Sequence, residues 1–276
     1  MTKKLTILVF FIASYSFSQN AWTKKKSEVY SQISFTTISD YGNIFGNPDY
    51  NTERFITDNT LQLYGEYGLT DKSTLVLSIP IKFNETGRLT GMGSQFTTAD
   101  SKAVLGNIEI GFRRQFYKKK WVVSGQLNLE GNTNSYSNAS GIRTGYDAWT
   151  LTPTISIGRS FNWIYFQGFT GVNLRSNNYS SNFRFGAEVG IKPIKPIWII
   201  GFVDVVKSFE NGNVKLPINN LLTGLYVNDQ EYSAYGLKAI GEVTKKFGAT
   251  IGFGGAFSGN NVAKKAAVTF GVYHKF

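Results

Sequence analysis

Apolar and polar side chains alternate, residue by residue, in about a dozen segments of this 276-residue chain. The clearest segment is Ser73–Asn84, whose apolar positions are Leu75, Leu77, Ile79, Ile81 and Phe83. Between them lie Thr74, Ser78, Lys82 and Asn84, and the chain ends in the same pattern, from Ala266 to Phe276. A period of two is typical of β-strands that have one apolar face. The sequence therefore predicts an all-β protein.

Twelve candidate strands can be marked. Their limits are Glu28–Ser39, Phe55–Gly68, Ser73–Asn84, Leu105–Phe116, Trp121–Gly131, Ala148–Arg159, Ile164–Leu174, Asn182–Lys192, Ile197–Phe209, Glu231–Thr244, Gly248–Ser258 and Val262–Phe276. Pro80 and Pro153 lie inside two of them, and we interpret both as bulges or bends because proline cannot donate a ladder hydrogen bond. Ile197–Phe209 is apolar on both faces, so its register is the least defined by the pattern.

The connectors alternate between short and long. The short ones are Leu69–Lys72, Tyr117–Lys120, Ser160–Trp163, Pro193–Pro196 and Lys245–Phe247. The others, most of them long, are Asp40–Arg54, Glu85–Val104, Asn132–Asp147, Arg175–Ser181, Glu210–Gln230 and Gly259–Asn261. A soluble β-sandwich has no such rhythm. The alternation predicts a closed antiparallel transmembrane β-barrel of twelve strands, with short periplasmic turns and long outer loops.

The first residues have the features of an export signal. Lys3 and Lys4 precede the apolar run Leu5–Phe17, and Ser16 and Ser18 are small residues before a cleavage site. We expect residues 1–18 to be a cleaved signal peptide and residues 19–276 to form one barrel domain; an uncleaved N-terminal anchor is the alternative. No apolar run of about 18 residues follows.

Charge and aromatic content fit this prediction. The formal net charge of +11 falls to +9 without Lys3 and Lys4 (11 − 2), and clusters such as Lys24–Lys26 are interpreted as solvated turns or rim charges. Aromatic residues make up 15% of the chain. They cluster near both strand ends, as interfacial girdles do: Trp121, Phe161, Trp163, Trp198, Phe247 and Phe276 at one end, and Phe55, Phe83, Trp149, Phe183, Tyr235 and Phe257 at the other.

If the apolar face contacts lipid, the opposite face lines the lumen. The charged lumen candidates are Glu66, Lys82, Glu109, Arg113, Glu130, Arg184, Glu188, Lys192, Asp204, Lys238 and Glu242. Both signs occur on the same strands, so one interpretation is a cross-strand ion-pair network. The other is a charged constriction that selects solutes.

Strands seven and nine add aromatic lumen candidates, namely Tyr165, Phe169, Trp198 and Phe202. They could guide an apolar or aromatic solute, or they could fill the barrel or pack against an in-folded loop. Both interpretations are open at this stage.

The sequence does not indicate a catalytic site. A serine nucleophile needs a positioned base, and the one histidine, His274, lies two residues from the C-terminus on the apolar stripe. The chain has no cysteine and no defensible cation loop. We therefore predict no enzyme activity, no metal and no cofactor. Nucleic-acid binding is also not expected, because no basic helix is present.

The segment Thr60–Phe83, TLQLYGEYGLTDKSTLVLSIPIKF, resembles a group of outer-membrane barrels named after the meta-pathway of phenol degradation. The terminal aromatic Phe276 resembles the signal read by the barrel-assembly machinery, and the export signal ending in Ser-Gln resembles those of the Bacteroidetes. The resemblance implies an outer-membrane protein of a Gram-negative cell that passes small, in some members aromatic, compounds. It carries no functional residue over to this chain.

Two functions from different classes follow. The first is a passive channel or uptake porin for a small, aromatic or apolar solute, with membrane lipid, the assembly machinery and that solute as its partners. The second is a non-conducting structural or adhesive barrel whose outer loops bind partners. Current across a planar bilayer distinguishes them.

Overall fold

The fold is that of a computed structural model, which describes residues 21–89, 97–133 and 135–276. The predicted signal peptide, residues 1–18, lies outside the described residues, as do residues 90–96 of the second long connector. Among the described residues, no helix has the length and apolar character needed to cross a membrane.

The described chain consists almost entirely of β-strands. They are β1 (Val29–Phe45), β2 (Tyr50–Thr70), β3 (Ser73–Thr86), β4 (Asp100–Leu105), β5 (Ile108–Lys118), β6 (Val122–Gly131), β7 (Thr150–Ser160), β8 (Ile164–Arg175), β9 (Asn182–Ile194), β10 (Ile197–Ser208), β11 (Glu231–Glu242), β12 (Phe247–Asn260), β13 (Val262–Ala263) and β14 (Ala267–Lys275). One short helix, α1 (Ile218–Leu221), lies between β10 and β11.

The sheet closes on itself. Every strand of the ring pairs antiparallel with its neighbour, and β1 completes the ring because it pairs with both β2 and β14. The ring has twelve strands; β4 pairs with β3, and β13 pairs with β1, outside it. Closure leaves no free sheet edge within the ring. The predicted twelve-stranded antiparallel barrel is confirmed.

The alternating pattern sets which side chains face outward. On β7, Leu151, Ile155 and Ile157 are exposed, whereas Thr152 and Thr154 between them are buried. The same contrast on the other strands gives the barrel an apolar exterior and a polar interior. An apolar exterior of this extent is stable against lipid and unfavourable in water. The protein is therefore an outer-membrane β-barrel.

Aromatic side chains border this exterior at both ends. The exposed aromatics at the short-turn end are Trp121, Phe161, Trp163, Phe247 and Phe276, and those at the loop end are Phe55, Phe83, Trp149, Phe183, Tyr235 and Phe257. Trp198 is different, because it lies on the inward-facing positions of β10 and contacts Tyr165. Placing Trp198 in the girdle was wrong; placing it among the inward aromatics agrees with its position.

Three segment limits differ from those predicted. The first long connector, Asp40–Arg54, is mostly strand, because β1 and β2 continue past the ring as a paired hairpin with register shifts after Ile38. The second long connector, Glu85–Val104, contains most of an additional strand, β4, and the fourth predicted strand, Leu105–Phe116, corresponds to β5. The last is split into β13 and β14. The residues of the hairpin extension are mostly polar, as in loops, so the sequence pattern did not indicate that they form strands.

Pro80 and Pro153 lie at gaps in the ladder rather than at bulges. At Pro80, β3 changes partner, from β5 up to Ser78 to β4 from Ile81 onward. At Pro153, the β7–β8 pairing is interrupted between Leu151 and Thr154 without a change of register. In both places the proline, which has no N–H, lies where pairing with one neighbouring strand is interrupted, and this is where proline costs least.

A charge introduced on the lipid-facing surface tests this orientation. Ile155→Lys on β7 replaces a side chain that is 60% exposed. We expect it to lower the free energy of unfolding by about 2–4 kcal/mol if Ile155 contacts the hydrocarbon core. Urea titration of the folded fraction in phospholipid vesicles measures the change.

Ile218→Lys is the matched control, because Ile218 is 63% exposed but lies on α1, outside the ring strands. We expect a change within about 0.5 kcal/mol there. Equal losses in the free energy of unfolding for Ile155→Lys and Ile218→Lys would contradict the assignment of the β7 exterior to lipid.

Candidate functional site

All eleven charged candidates lie on inward-facing positions of the ring. Five are buried, namely Glu66, Lys82, Arg113, Glu188 and Asp204. The other six are partly buried: Glu109, Glu130, Arg184, Lys192, Lys238 and Glu242. These side chains come from seven different strands, and the interior of the barrel brings them together.

The four aromatic candidates also point inward, and two of them lie flat against the wall. Phe169 covers Gly186, and Phe202 covers Gly236, where an added Cβ would lie 2.5 Å from the Phe202 ring. The Tyr165 and Trp198 rings are 5.3 Å apart in an edge-on arrangement. These contacts resemble wall packing more than a slot for a solute.

The most buried charge in the lumen is the guanidinium of Arg113 on β5, which is 0% exposed. Its Nη1 lies 2.7 Å from Oε1 of Glu66 on β2, and its Nε donates to Oε1 of Gln126 over 2.7 Å. Glu66 also accepts from the Tyr64 hydroxyl at 2.8 Å and pairs with Lys24 Nζ at 3.0 Å. This group, which we call the Arg113 cluster, is held by charge-assisted hydrogen bonds.

On the other side of the bore, further ion pairs join β9 to β11 across the intervening strand β10. Lys238 on β11 lies 2.6 Å from Glu188 on β9, and Lys192 lies 2.8 Å from Glu242. The Tyr165 hydroxyl donates to Oε1 of Glu188 over 2.8 Å. Such pairs satisfy buried charges that would otherwise be costly. Part of the lumen charge is therefore structural.

Residues 21–26 cross the lumen at the short-turn end, and we call them the strap. The Trp22 ring packs edge-on against Tyr165 at 5.9 Å, and Trp22 O accepts from Arg113 Nη1 at 3.1 Å. The backbone N–H of Ala21 donates to Gln167 on β8, whereas that of Lys24 donates to Thr74 on β3. The strap therefore spans the bore from β3 to β8.

A glycine in the barrel wall leaves space for the strap. A Cβ added at Gly158 on β7 would lie 2.8 Å from Cη2 of Trp22. Ala21 is 0% exposed. The interpretation of Lys24–Lys26 as a solvated turn or rim was wrong for Lys24, which pairs with Glu66 inside the barrel. The sequence feature that could have indicated the strap is Trp22, a large apolar residue that belongs to no strand.

Two long loops cover the outer end of the barrel, and we call them the lid: residues 132–149 and 209–230. Nδ2 of Asn220 donates to Gly141 O at 3.1 Å, joining the two loops. The Tyr41 hydroxyl donates to Thr223 O at 2.7 Å, and Leu225 packs with Tyr41 in an apolar cluster. The lid is therefore fixed to the first hairpin and narrows the outer entrance.

Tyr226 extends from the lid toward the lumen. Its ring lies 5.4 Å from Nζ of Lys82. Burial raises the pKa of Tyr226 to about 12, although the Lys82 charge acts in the opposite direction. The phenol therefore stays neutral at physiological pH and serves as a hydrogen-bonding and aromatic surface.

Gly141 of the first lid loop lies directly against Asn219 and Asn220 of the second. It has a φ of +75°, and an added Cβ would lie 2.1 Å from Asn219 O. We expect Gly141→Ala to separate the loops and raise the fraction of time that the channel is open several-fold, as measured in single-channel recordings. Gly201→Ala is the control, because its Cβ would meet only Leu237 at 3.8 Å. Equal open fractions in both variants would contradict a lid that limits entry.

Between the strap and the lid lies a cavity of about 330 Å³. Its charged lining side chains are Lys82, Glu109, Glu130 and Arg184, and Tyr64 and Tyr226 contribute aromatic surface. Lys82 is neutralised by an ion pair with Asp58 and donates to Thr60 Oγ1 at 2.8 Å. The volume falls at the lower end of the range for small-molecule sites. The four aromatic candidates from strands seven and nine are not among the residues that line it.

Comparison with solved structures gives the same fold. The chain is similar to the COG4313 outer membrane channel from Pseudomonas putida F1, with a TM-score of 0.68 and 11% identity over 93% of this chain and 98% of that one. It is also similar to the KdgM porin in complex with disordered oligogalacturonate (TM-score 0.52, 8% identity, 89% and 99% covered). A third similar structure is the NanC porin (TM-score 0.52, 7% identity, 90% and 100% covered).

No protein-family model matches the chain, and no curated protein matches it by sequence. At such low identities the similarity concerns the barrel itself. The resemblance of Thr60–Phe83 to the phenol-pathway group therefore remains a resemblance of one hairpin.

Proposed function

We propose that the protein is a passive channel that admits small solutes through the barrel lumen, with the strap and the lid limiting the opening. The observation that carries this proposal is the polar cavity of about 330 Å³ between two covers that belong to no ring strand. A barrel that served only as a scaffold would gain stability from filling this space.

The solute that we propose is small and polar. Charged and hydroxyl groups line the cavity, whereas Phe169 and Phe202 are used in packing against the wall. An aromatic or apolar solute, as the hairpin resemblance implies, is the alternative and would have to use the Tyr64 and Tyr226 surfaces. The similar solved structures are channels and porins, which supports transport over catalysis.

Liposome swelling tests the proposal. Vesicles containing the mature chain should swell in isosmotic solutions of small polar solutes, at a rate that falls with solute size. Faster swelling with phenol-sized apolar solutes would favour the alternative, after correction for passage through bare lipid. Vesicles that swell no faster than protein-free ones with any solute would favour the non-conducting structural or adhesive barrel whose outer loops bind partners.

Biogenesis completes the proposal. We infer that cleavage after Ser18 yields a mature chain that begins at Gln19 and that Phe276 is read by the barrel-assembly machinery. N-terminal sequencing of the protein from membranes tests the first inference. Deletion of Phe276, which is 65% exposed, should lower the amount of assembled barrel in cells without preventing refolding in detergent.

A further inference from the structure

Two opposite charges that line the cavity lack an ion-pair partner among the described residues. Glu130 on β6 accepts one hydrogen bond, from Asn107 Nδ2 at 2.8 Å. The Nε of Arg184 on β9 is buried without a hydrogen-bond partner, and the guanidinium carbon is 5.9 Å from the centre of the Phe169 ring. The other charged pairs described above, those of Glu66, Lys82, Glu188 and Lys192, are satisfied by contact.

These two charges face the same space from different walls. β6 and β9 are three strands apart around the ring, and both side chains line the cavity of about 330 Å³. Glu109 lies directly opposite Glu130 in the β5–β6 ladder, so two carboxylates meet on one wall.

The β9 side of the cavity carries the positive charge of Arg184, although a neighbouring carboxylate moderates it. Asp204 on β10 lies close to Arg184 in the sheet, but its Oδ2 accepts from the Tyr232 hydroxyl at 2.9 Å and it forms no ion pair in the described chain. The guanidinium of Arg184 thus retains donors for a ligand carboxylate. Arginine offers these donors in a planar fork that matches a carboxylate.

We propose that this cavity binds a small zwitterion with one ammonium and one carboxylate group, of the free α-amino acid class. The ammonium lies at Glu130, the carboxylate lies at Arg184, and Thr60 and Ser78 provide neutral polar contacts. A ligand with a single charge leaves one of these two partly buried charges unpaired, which is costly. This inference rests on the proposed function, because it names the solute class of the same lumen.

Isothermal titration of the mature full-length chain in detergent micelles at pH 6.5 tests it with three matched probes: alanine, the cationic alaninamide and the anionic N-acetylalanine. We expect alanine to bind at least about fivefold more tightly than either singly charged probe. Tighter binding of either singly charged probe, or binding of Ca²⁺ at the two carboxylates without binding of alanine, would overturn the proposal.

Two variants assign the ends of the ligand. Arg184→Gln should bring the affinity for alanine down to that for alaninamide, and Glu130→Gln should bring it down to that for N-acetylalanine. Lys207→Gln is the control, because it removes one charge from an exposed outer position of β10 and should change nothing. Heat-modifiable migration on SDS gels confirms that each variant is folded.

Wild-type affinity for alanine in both lumen variants would contradict the site. Because titration needs no current, the two proposals can fail separately. A chain that conducts but does not bind alanine refutes only the zwitterion site. A chain that binds alanine but never conducts refutes only the channel.

Discussion

Removing residues 19–24 is expected to raise the single-channel conductance at least about threefold, because the strap occupies the bore at the short-turn end. Trp22 and Ala21 reach the wall formed by β7 and β8, and the chain from there to β1 crosses the lumen. The first ring pairs begin at Val29, so the deletion leaves the barrel ladder intact. Recordings in planar bilayers measure the change.

Trp22→Ala is the companion variant, and it should give an intermediate conductance, since it removes the contact with Tyr165 but keeps the backbone of the strap. Substitution of Trp163, which is 62% exposed on the exterior, is the matched control and should leave conductance unchanged. A deletion variant that conducts no better than the wild type would mean that the strap does not limit passage.

The second large effect concerns the Arg113 cluster. Glu66→Gln removes the carboxylate that faces a guanidinium with no exposed surface, at an Nη1–Oε1 distance of 2.7 Å. Breaking a buried pair from one side leaves an uncompensated charge, so we expect a loss of about 3–5 kcal/mol in the free energy of unfolding. Urea unfolding in detergent, followed by tryptophan fluorescence, reports the loss.

The double variant Glu66→Gln with Arg113→Met should lose less stability than the sum of the two single variants, because the second change removes the charge that the first leaves unpaired. Lys207→Gln breaks an ion pair with Glu231 at 2.6 Å in which the lysine is 60% exposed, and it should cost less than about 1 kcal/mol. Similar costs for Glu66→Gln and Lys207→Gln would contradict a buried cluster.

The ring of the barrel could be predicted from sequence because each ring strand carries its own signal. Lipid on one side and a polar lumen on the other impose a period of two, so the pattern of Ser73–Asn84 both identifies β3 and orients its side chains. Even β10, apolar on both faces, took its register from its neighbours, with Trp198 and Phe202 inward.

The strap and the lid, which cover the two ends of the lumen, could not be predicted in the same way. The strap and the lid have no repeating pattern, and their positions depend on single long-range contacts such as Trp22 O with Arg113 and Asn220 with Gly141. Sequence also did not indicate which lumen charges pair. Arg184 and Lys238 look alike along the chain, but among the described residues Lys238 forms an ion pair, with Glu188, whereas Arg184 forms none.

Cysteine accessibility during current recording tests most directly whether solutes pass through this cavity. The chain has no native cysteine, Ser78 lines the cavity and Leu77 beside it is 42% exposed on the exterior. In Ser78→Cys, a charged methanethiosulfonate reagent should lower the current by about half or more, and in Leu77→Cys it should have no effect. Unchanged current in Ser78→Cys, with modification of the thiol confirmed by mass spectrometry, would contradict a channel through the barrel lumen.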